Sequence, residues 1–131
     1  MTFAAMHAAI EARFVTLWTD KTIPVAYANV LFDPPPSPWL RLTVVDGGSF
    51  QASLGTNPLN RYVGIIYVSI FVMKDTGERA ARALADIIAP IFRQVSFSGI
   101  VCEVPYFRPV GPDGAYYNAN LLCPYRYDVV E

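Results

Sequence analysis

Apolar residues near the start of the chain recur at steps of three or four, which is the spacing of one face of an α-helix. The pattern extends from Thr2 to Trp18, and Glu11 and Arg13 lie outside the apolar stripe. We expect this helix to pack on a sheet through the stripe. The predicted stripe consists of Phe3, Met6, Ile10, Phe14 and Leu17.

The next 30 residues predict strands and an extended connector. Residues 23–32 are rich in strand-forming types, whereas DPPPSP at 33–38 cannot continue a ladder, because proline has no amide hydrogen to donate. In WLRLTVV at 39–45, Leu40, Leu42 and Val44 alternate with more polar residues. This alternation is typical of a strand with one buried face.

The stretch GGSFQASLGTNPLN at 47–60 has the residue types of a loop but carries no charge. Asp46 and the two glycines after it are a turn signal, which predicts that SFQASLG at 49–55 returns as a strand paired with the one before it. The stretch then belongs to a projecting hairpin, and its neutrality favours burial by another molecule. The candidate contact residues here are Phe50, Gln51, Leu54, Leu59 and Arg61.

The most apolar strand predicted in the chain runs from Arg61 to Met73. Both of its faces are apolar, so both must be covered. One face carries Ile66, Val68, Ile70 and Val72, and the other carries Val63, Ile65, Tyr67, Phe71 and Met73.

A second helix follows this strand, with Asp75 or Thr76 as its cap, and its helical period continues to about Gln94. Pro90 interrupts the pattern, so we expect a kink or an early end near Ala89.

The last third of the chain predicts two more strands, Ile100–Val104 and Ala115–Tyr127, separated by the loop PYFRPVGPDG at 105–114. The complete order predicts an α+β fold, with two helices packed on one face of a mostly antiparallel β-sheet and a single domain over residues 1–131. Aromatic residues and arginine anchor many protein interfaces. Those that follow the proline run or flank the GPDG turn at 111–114 are Trp39, Tyr106, Phe107, Arg108, Tyr116 and Tyr117.

The charge content favours a protein whose surface is partly covered by other subunits. Charged residues make up 16% of the chain, against about 25% in an ordinary soluble domain. The 10 basic and 11 acidic residues are scattered, which argues against direct recognition of nucleic acid. The most apolar stretch, Tyr62–Met73, is shorter than the roughly 20 residues of a membrane-spanning helix.

The sequence offers little for catalysis, cofactors or metals. His7 and Glu11 are one helical turn apart, but no third metal ligand lies nearby, and a solvated helix face is the better interpretation. Cys102 and Cys123 lack the paired spacing of zinc or redox sites and lie in apolar strands, where thiols are usually inert. The start of the chain does not have the pattern of a signal peptide. We therefore expect reduced, packed thiols and no enzymatic activity.

Taken in order, these segments resemble the tail terminator, or tail completion, proteins of long-tailed bacteriophages and related prophages. The resemblance covers nearly the whole chain. Besides the opening helix, it rests on PVAYANVLFDPPPSPWLRLTV, GGSFQASLG, RYVGIIYVSIFVMKDTGERAARALAD and PVGPDGAYYNANLLCPYRYD.

The resemblance implies a virion structural protein without catalytic residues or cofactors. Such proteins typically form a hexameric ring at the head-proximal end of the tail tube, stop its polymerisation and present a surface for head attachment. The implied partners are other copies of the chain, the tail tube protein and a head connector, and the implied locations are the host cytoplasm during assembly and then the virion tail. Two alternatives are a head-to-tail adaptor of the same assembly and a small-ligand module with a pocket between helices and sheet.

Overall fold

The computed structural model of the chain describes residues 2–20, 22–27, 30–36, 38–75 and 77–131. Within these ranges the chain forms two helices and seven strands, in the α+β arrangement that the sequence predicts. In chain order the elements are α1 (Phe3–Leu17), β1 (Val25–Tyr27), β2 (Trp39–Gln51), β3 (Leu59–Met73), α2 (Glu78–Phe92), β4 (Ser96–Phe97), β5 (Ile100–Cys102), β6 (Tyr106–Asp113) and β7 (Tyr116–Val130).

The described strands form one sheet in the order β1-β2-β3-β7-β5-β4. Pairing is antiparallel except between β1 and β2. β6 and β5 pair with different parts of the same edge of β7. β3 is the central strand, because β2 and β7 pair with it along most of its length. The long strands β2, β3 and β7 therefore set the dimensions of the domain.

Both helices pack on one face of this sheet and form the main core with it. The inward residues of β3, predicted to share one face, are at most 1% exposed. Opposite them across the core lie apolar side chains from both helices. The largest contributions to this core come from Met6, Ile10, Phe14, Phe92, Ile66, Ile70 and Ile88.

α1 has the predicted position but buries a different line of residues. Thr2 caps it, because the Thr2 hydroxyl accepts a hydrogen bond of 3.1 Å from the Ala5 amide. The assignment of Phe3 and Leu17 to the buried stripe is wrong, since they are 67% and 42% exposed, whereas Trp18 at the C-cap is buried. The buried line takes steps of four residues: Met6, Ile10, Phe14 and Trp18.

α2 continues through Pro90, so of the kink or early end expected near Ala89, the early end is wrong. The helix reaches Phe92, and both Ile91 and Phe92 are buried in the core. We attribute the extra residues to this burial, which compensates for the hydrogen bond that proline cannot donate.

The start of α2 also differs from the prediction. Gly77 occupies the N-cap position with a φ of 87° and makes no side-chain cap, so Asp75 is not the cap. Thr76, the alternative, lies outside the described residues. Glu78 is in the first turn, as expected from the favourable interaction of a carboxylate with the helix N-terminus.

Asp46 and the two glycines after it lie inside β2, so the predicted turn and the return strand at 49–55 are wrong. The pairing of β2 with β3 shifts between Asp46 and Ser49, which marks a β-bulge, and β2 then continues to Gln51. The hairpin turns at residues 52–58 instead. Glycine pairs mark bulges as well as turns, which explains the error.

Two glycines near this bulge allow very close packing. A Cβ at Gly47 would lie 2.9 Å from the Val63 carbonyl oxygen, and one at Gly64 would lie 2.5 Å from the Tyr125 hydroxyl oxygen. That hydroxyl donates a hydrogen bond of 3.1 Å to Asp46 Oδ1. Burial, together with the nearby Asp46 carboxylate, raises the pKa of Tyr125, so this donor keeps its proton.

Residues 105–114 were expected to be a loop but contain the strand β6. Pro109 and Pro112 lack amide hydrogens, and this is tolerated because β6 is an edge strand whose partner in the described chain is β7. A bulge between Pro109 and Gly111 accommodates the change in pairing. The predicted final strand is confirmed and extends to Val130.

The other face of the sheet carries a smaller cluster made by Ala26, Trp39 and Phe71. The Trp39 and Phe71 rings stack with their centres 4.0 Å apart. Of the strand-forming residues at 23–32, those in a strand are Val25–Tyr27, and residues 28 and 29 lie outside the described ranges. The connector at 33–36 has no regular structure, as its prolines predict.

Candidate functional site

The first candidate surface is the hairpin end, defined as residues 47–60. It includes the last residues of β2, the turn and the first residues of β3. Leu54 is 94% exposed and Phe50 is 53% exposed. Two large apolar side chains therefore face solvent on a segment without charge.

Internal hydrogen bonds define the shape of this turn. The Ala52 amide donates to the Leu59 carbonyl at 2.6 Å, and the Leu59 amide donates to Ser53 Oγ at 2.7 Å. The Gln51 side-chain amide donates to the Ser53 carbonyl at 2.8 Å. The exposed Leu54 is thus presented by an ordered turn, which limits the entropy lost when a partner covers it.

Charged side chains stand beside the base of the hairpin end. Arg61 makes two hydrogen bonds to the Asp128 carboxylate, of 2.8 and 3.1 Å. The hydrogen bonds and the positive charge of Arg61 lower the pKa of Asp128. Asn60 and Tyr62 both donate to the Glu131 carboxylate. These exposed pairs fix the strands β3 and β7 at this end of the sheet.

The second candidate surface is the hairpin formed by β6 and β7. Tyr106 is 41% exposed, and the guanidinium of Arg108 lies 5.7 Å from the centre of its ring. Phe107 is half-buried, with the guanidinium of Arg82 4.5 Å from its ring centre. Tyr106 and Arg108 are therefore the accessible members of this predicted set.

Tyr116 and Tyr117 are tied to their own chain by their hydroxyl groups. Tyr117 donates a hydrogen bond of 2.9 Å to Glu78, which lowers the pKa of that carboxyl. Tyr116 donates to the Pro35 carbonyl and thereby fixes the proline connector. Trp39 is 4% exposed inside the smaller cluster. Trp39 therefore offers little area to a partner, whereas Tyr116 and Tyr117 are half-buried and keep part of their surface exposed.

The structure therefore divides the predicted contact residues into separate groups. Phe50, Gln51 and Leu54 lie together at the hairpin end. Tyr106 and Arg108 lie on the strand β6, beside Leu122 and Asn120 of β7. Sequence reasoning missed Val45, which is 46% exposed on the sheet face opposite the helices. The sequence did indicate this position, because the alternation that assigns Leu42 and Val44 to the core places Val45 on the other face of the sheet.

The described residues include two buried thiols and one histidine, which pairs with Glu11. Cys102 and Cys123 are buried free cysteines, and the hydrogen bond between the thiols together with burial raises the pKa of Cys123. Within the described ranges, no group of three or more His, Cys, Asp or Glu side chains could hold a metal ion. No helix in the described part of the chain is long and apolar enough to cross a membrane.

A comparison with protein-family models identifies the family of this chain. The model of the phage tail terminator protein family matches residues 5–118. The chain belongs to this family. This tail terminator is therefore a structural component of the phage tail, within a family that interacts with other tail and head proteins.

Solved structures support the same fold for this tail terminator. One of them aligns with 100% of this chain and 99% of its own, with a TM-score of 0.73 and 20% sequence identity. At that identity the likeness establishes the shared fold alone. No curated protein sequence matches the chain.

Proposed function

We propose that this tail terminator forms a ring, with six copies as the expected number, on the head-proximal end of the tail tube. There it stops tube polymerisation and provides the surface to which the head attaches. The hairpin end is a contact that the ring makes with a neighbouring copy or with the tube. Tyr106 and Arg108 belong to a second contact.

The observation that carries this proposal is the exposure of Leu54 and Phe50 on an ordered, uncharged hairpin end. Large apolar side chains gathered on one exposed, ordered segment favour association with a partner. A ring built from head-to-tail contacts buries two different patches on every copy. At about 800 Å² per partner and contact, two contacts cover about a fifth of the 7328 Å² surface of one chain.

The small-ligand alternative required a pocket between the helices and the sheet. Packed side chains, including Phe14, Phe92 and Ile66, occupy most of that space. A cavity at one end of it, between Phe3 and Tyr62, holds about 200 Å³, less than the roughly 300–1,000 Å³ of typical small-molecule sites. The structural observations therefore favour assembly over ligand binding.

Size-exclusion chromatography with light scattering, followed by electron microscopy with purified tail tubes, tests the proposal. We expect a discrete species of about six times the chain mass, either alone or on the tube ends. Tubes grown with the protein present should have a defined length and carry the ring at one end. A chain that stays monomeric and never binds tube ends would refute the proposed function.

A further inference from the structure

The sheet face opposite the helices carries an apolar band across the long strands. Val45, Ile65 and Pro124 are directly paired neighbours on β2, β3 and β7. In the next row, Tyr67 pairs with Leu122, which pairs with Tyr106 of β6. We call these six residues the outer sheet face.

The outer sheet face lies on the side away from α1 and α2, which pack on the alternate residues of the same strands. Val45 and Tyr106 are 46% and 41% exposed, Ile65, Tyr67 and Pro124 are half-buried, and Leu122 between them is buried. Two-layer domains cover apolar sheet faces with a second layer. This face has the composition of a covered face, yet no helix of the described part of the chain packs on it.

A second apolar surface lies on the opposite side of the domain, on α1. Ala4, Ala8 and Ala12 are exposed at steps of four residues, and 48% of Val15 is exposed on the same line. We call these four residues the outer helix face. A surface helix normally carries polar residues away from its core side. α1 is apolar on both sides, which is typical of a helix covered on both sides.

We propose that the outer helix face of one copy packs on the outer sheet face of the next copy. This inference rests on the proposed ring and names the surfaces that join its subunits. The two faces lie on opposite sides of one domain, so the contact between copies is head-to-tail. A copy that uses its outer helix face for one neighbour keeps its outer sheet face for the next. Successive contacts then give alternating sheet and helix layers around the ring.

The two faces complement each other in size and charge. The alanines of the outer helix face allow close approach, whereas the outer sheet face projects Tyr67, Tyr106 and Ile65. Beside the sheet band, Arg41 and Arg108 extend from the same face of the sheet, where Arg41 lies over the Trp39 and Phe71 rings and Arg108 lies over the Tyr106 ring. Arg126 on this face is already ion-paired with Glu103, so that pair adds little net charge.

On the helix side, Glu11 stands beside the alanine line and contacts His7 at 3.4 Å. A carboxylate at the edge of one face and guanidinium groups at the edge of the other favour this pairing over sheet-to-sheet contact. Such rim charges mainly select the partner and its orientation.

Cysteine crosslinking in the assembled ring tests the contact. Double variants combine Ile65→Cys with Ala4→Cys, Ala8→Cys or Ala12→Cys, and a short bismaleimide links thiols that lie close together. The native Cys102 and Cys123 are buried and should not react in the folded protein. We expect at least one double variant to give a ladder up to the full ring on a denaturing gel.

Two control variants test for other arrangements of the subunits in the ring. Val130→Cys with Ala8→Cys places the first thiol at a residue that is 65% exposed and pairs with Leu59 at the far end of β7, away from both faces, and it should give no ladder. Ile65→Cys alone should give no dimer; a strong dimer would show sheet-to-sheet contact and overturn the proposal.

The crosslinking also separates this inference from the proposed function. If rings form on tail tubes but none of the three double variants gives a ladder, the face pairing is wrong and the ring function stands. If the unmodified chain forms no ring even with tubes, both are refuted.

Discussion

Replacing Gly64 by alanine should destabilise the domain strongly, because the position has no room for a side chain. A Cβ there would lie 2.5 Å from the Tyr125 hydroxyl oxygen and 2.6 Å from the Val45 carbonyl oxygen. The Tyr125 ring can move only by giving up its hydrogen bond to Asp46, and the carbonyl belongs to the paired strand β2. The substitution therefore disturbs both packing and hydrogen bonding.

The expected loss follows from these two effects. Overpacking a tight site costs about 1–3 kcal/mol, and losing a hydrogen bond to a charged group costs about 1.5–3 kcal/mol. Alanine restricts the unfolded chain more than glycine does, and this offsets about 0.4–1 kcal/mol of the lost stability. Because the first two effects overlap, we expect a net loss of about 2–4 kcal/mol. With an unfolding entropy of about 2.1 cal/mol/K per residue, this lowers the Tm by roughly 7–15 °C.

Urea unfolding followed by tryptophan fluorescence measures this loss, since Trp18 and Trp39 are both buried. Gly48→Ala is the matched control, because a Cβ there meets nothing within 4 Å. Adding Tyr125→Phe to Gly64→Ala should recover part of the loss, since it removes the nearest atom. Equal stability of the Gly64→Ala and Gly48→Ala variants would refute this description of the site.

Three further predictions concern assembly, the core and pH. Phe50→Ser with Leu54→Ser should leave the Tm within a few degrees of the parent while impairing ring formation, as seen by light scattering with tail tubes; an unfolded double variant would instead place these side chains in the interior. Ile70→Ala, at a fully buried position, should cost about 2–5 kcal/mol in urea unfolding, and a loss below 1 kcal/mol would contradict its core position. Arg61 lowers the folded-state pKa of Asp128. The stabilisation from the Arg61–Asp128 pair should therefore be complete above the unfolded-state pKa of about 3.9, and it should disappear as the pH falls through the folded-state pKa of Asp128. Comparing the urea midpoints of the parent and Asp128→Asn between pH 7 and pH 2 checks this, and a difference that grows on acidification would contradict the sign.

The sequence predicted the elements whose periodicity is set by burial. The inward line of β3, from Ile66 to Val72, alternates because it faces the helices, and the same line is buried in the structure. Short local motifs, such as turn signals, predicted the structure less accurately. The two glycines after Asp46 fit a turn and a bulge equally, and the choice depends on pairing with β3, which is a distant contact.

The contact residues show the same limit. Phe50 and Leu54 were chosen as contact candidates because their segment lacks charge, and the structure exposes both. Trp39 has the residue type of an interface anchor but stacks on Phe71, a partner 32 positions later that its local sequence does not indicate. Residue type alone therefore identifies candidates for contact, whereas the tertiary fold decides which of them a partner can reach.

The prolines of β6 have a consequence for the free chain before it joins a tail. An edge strand with a complete row of amide hydrogens can add strands from other molecules without limit and so start fibrous aggregates. Pro109 and Pro112 remove two of those donors from an eight-residue strand. A protein proposed to end the growth of the tail tube thus carries, on its own edge strand, residues that oppose its growth into a fibre.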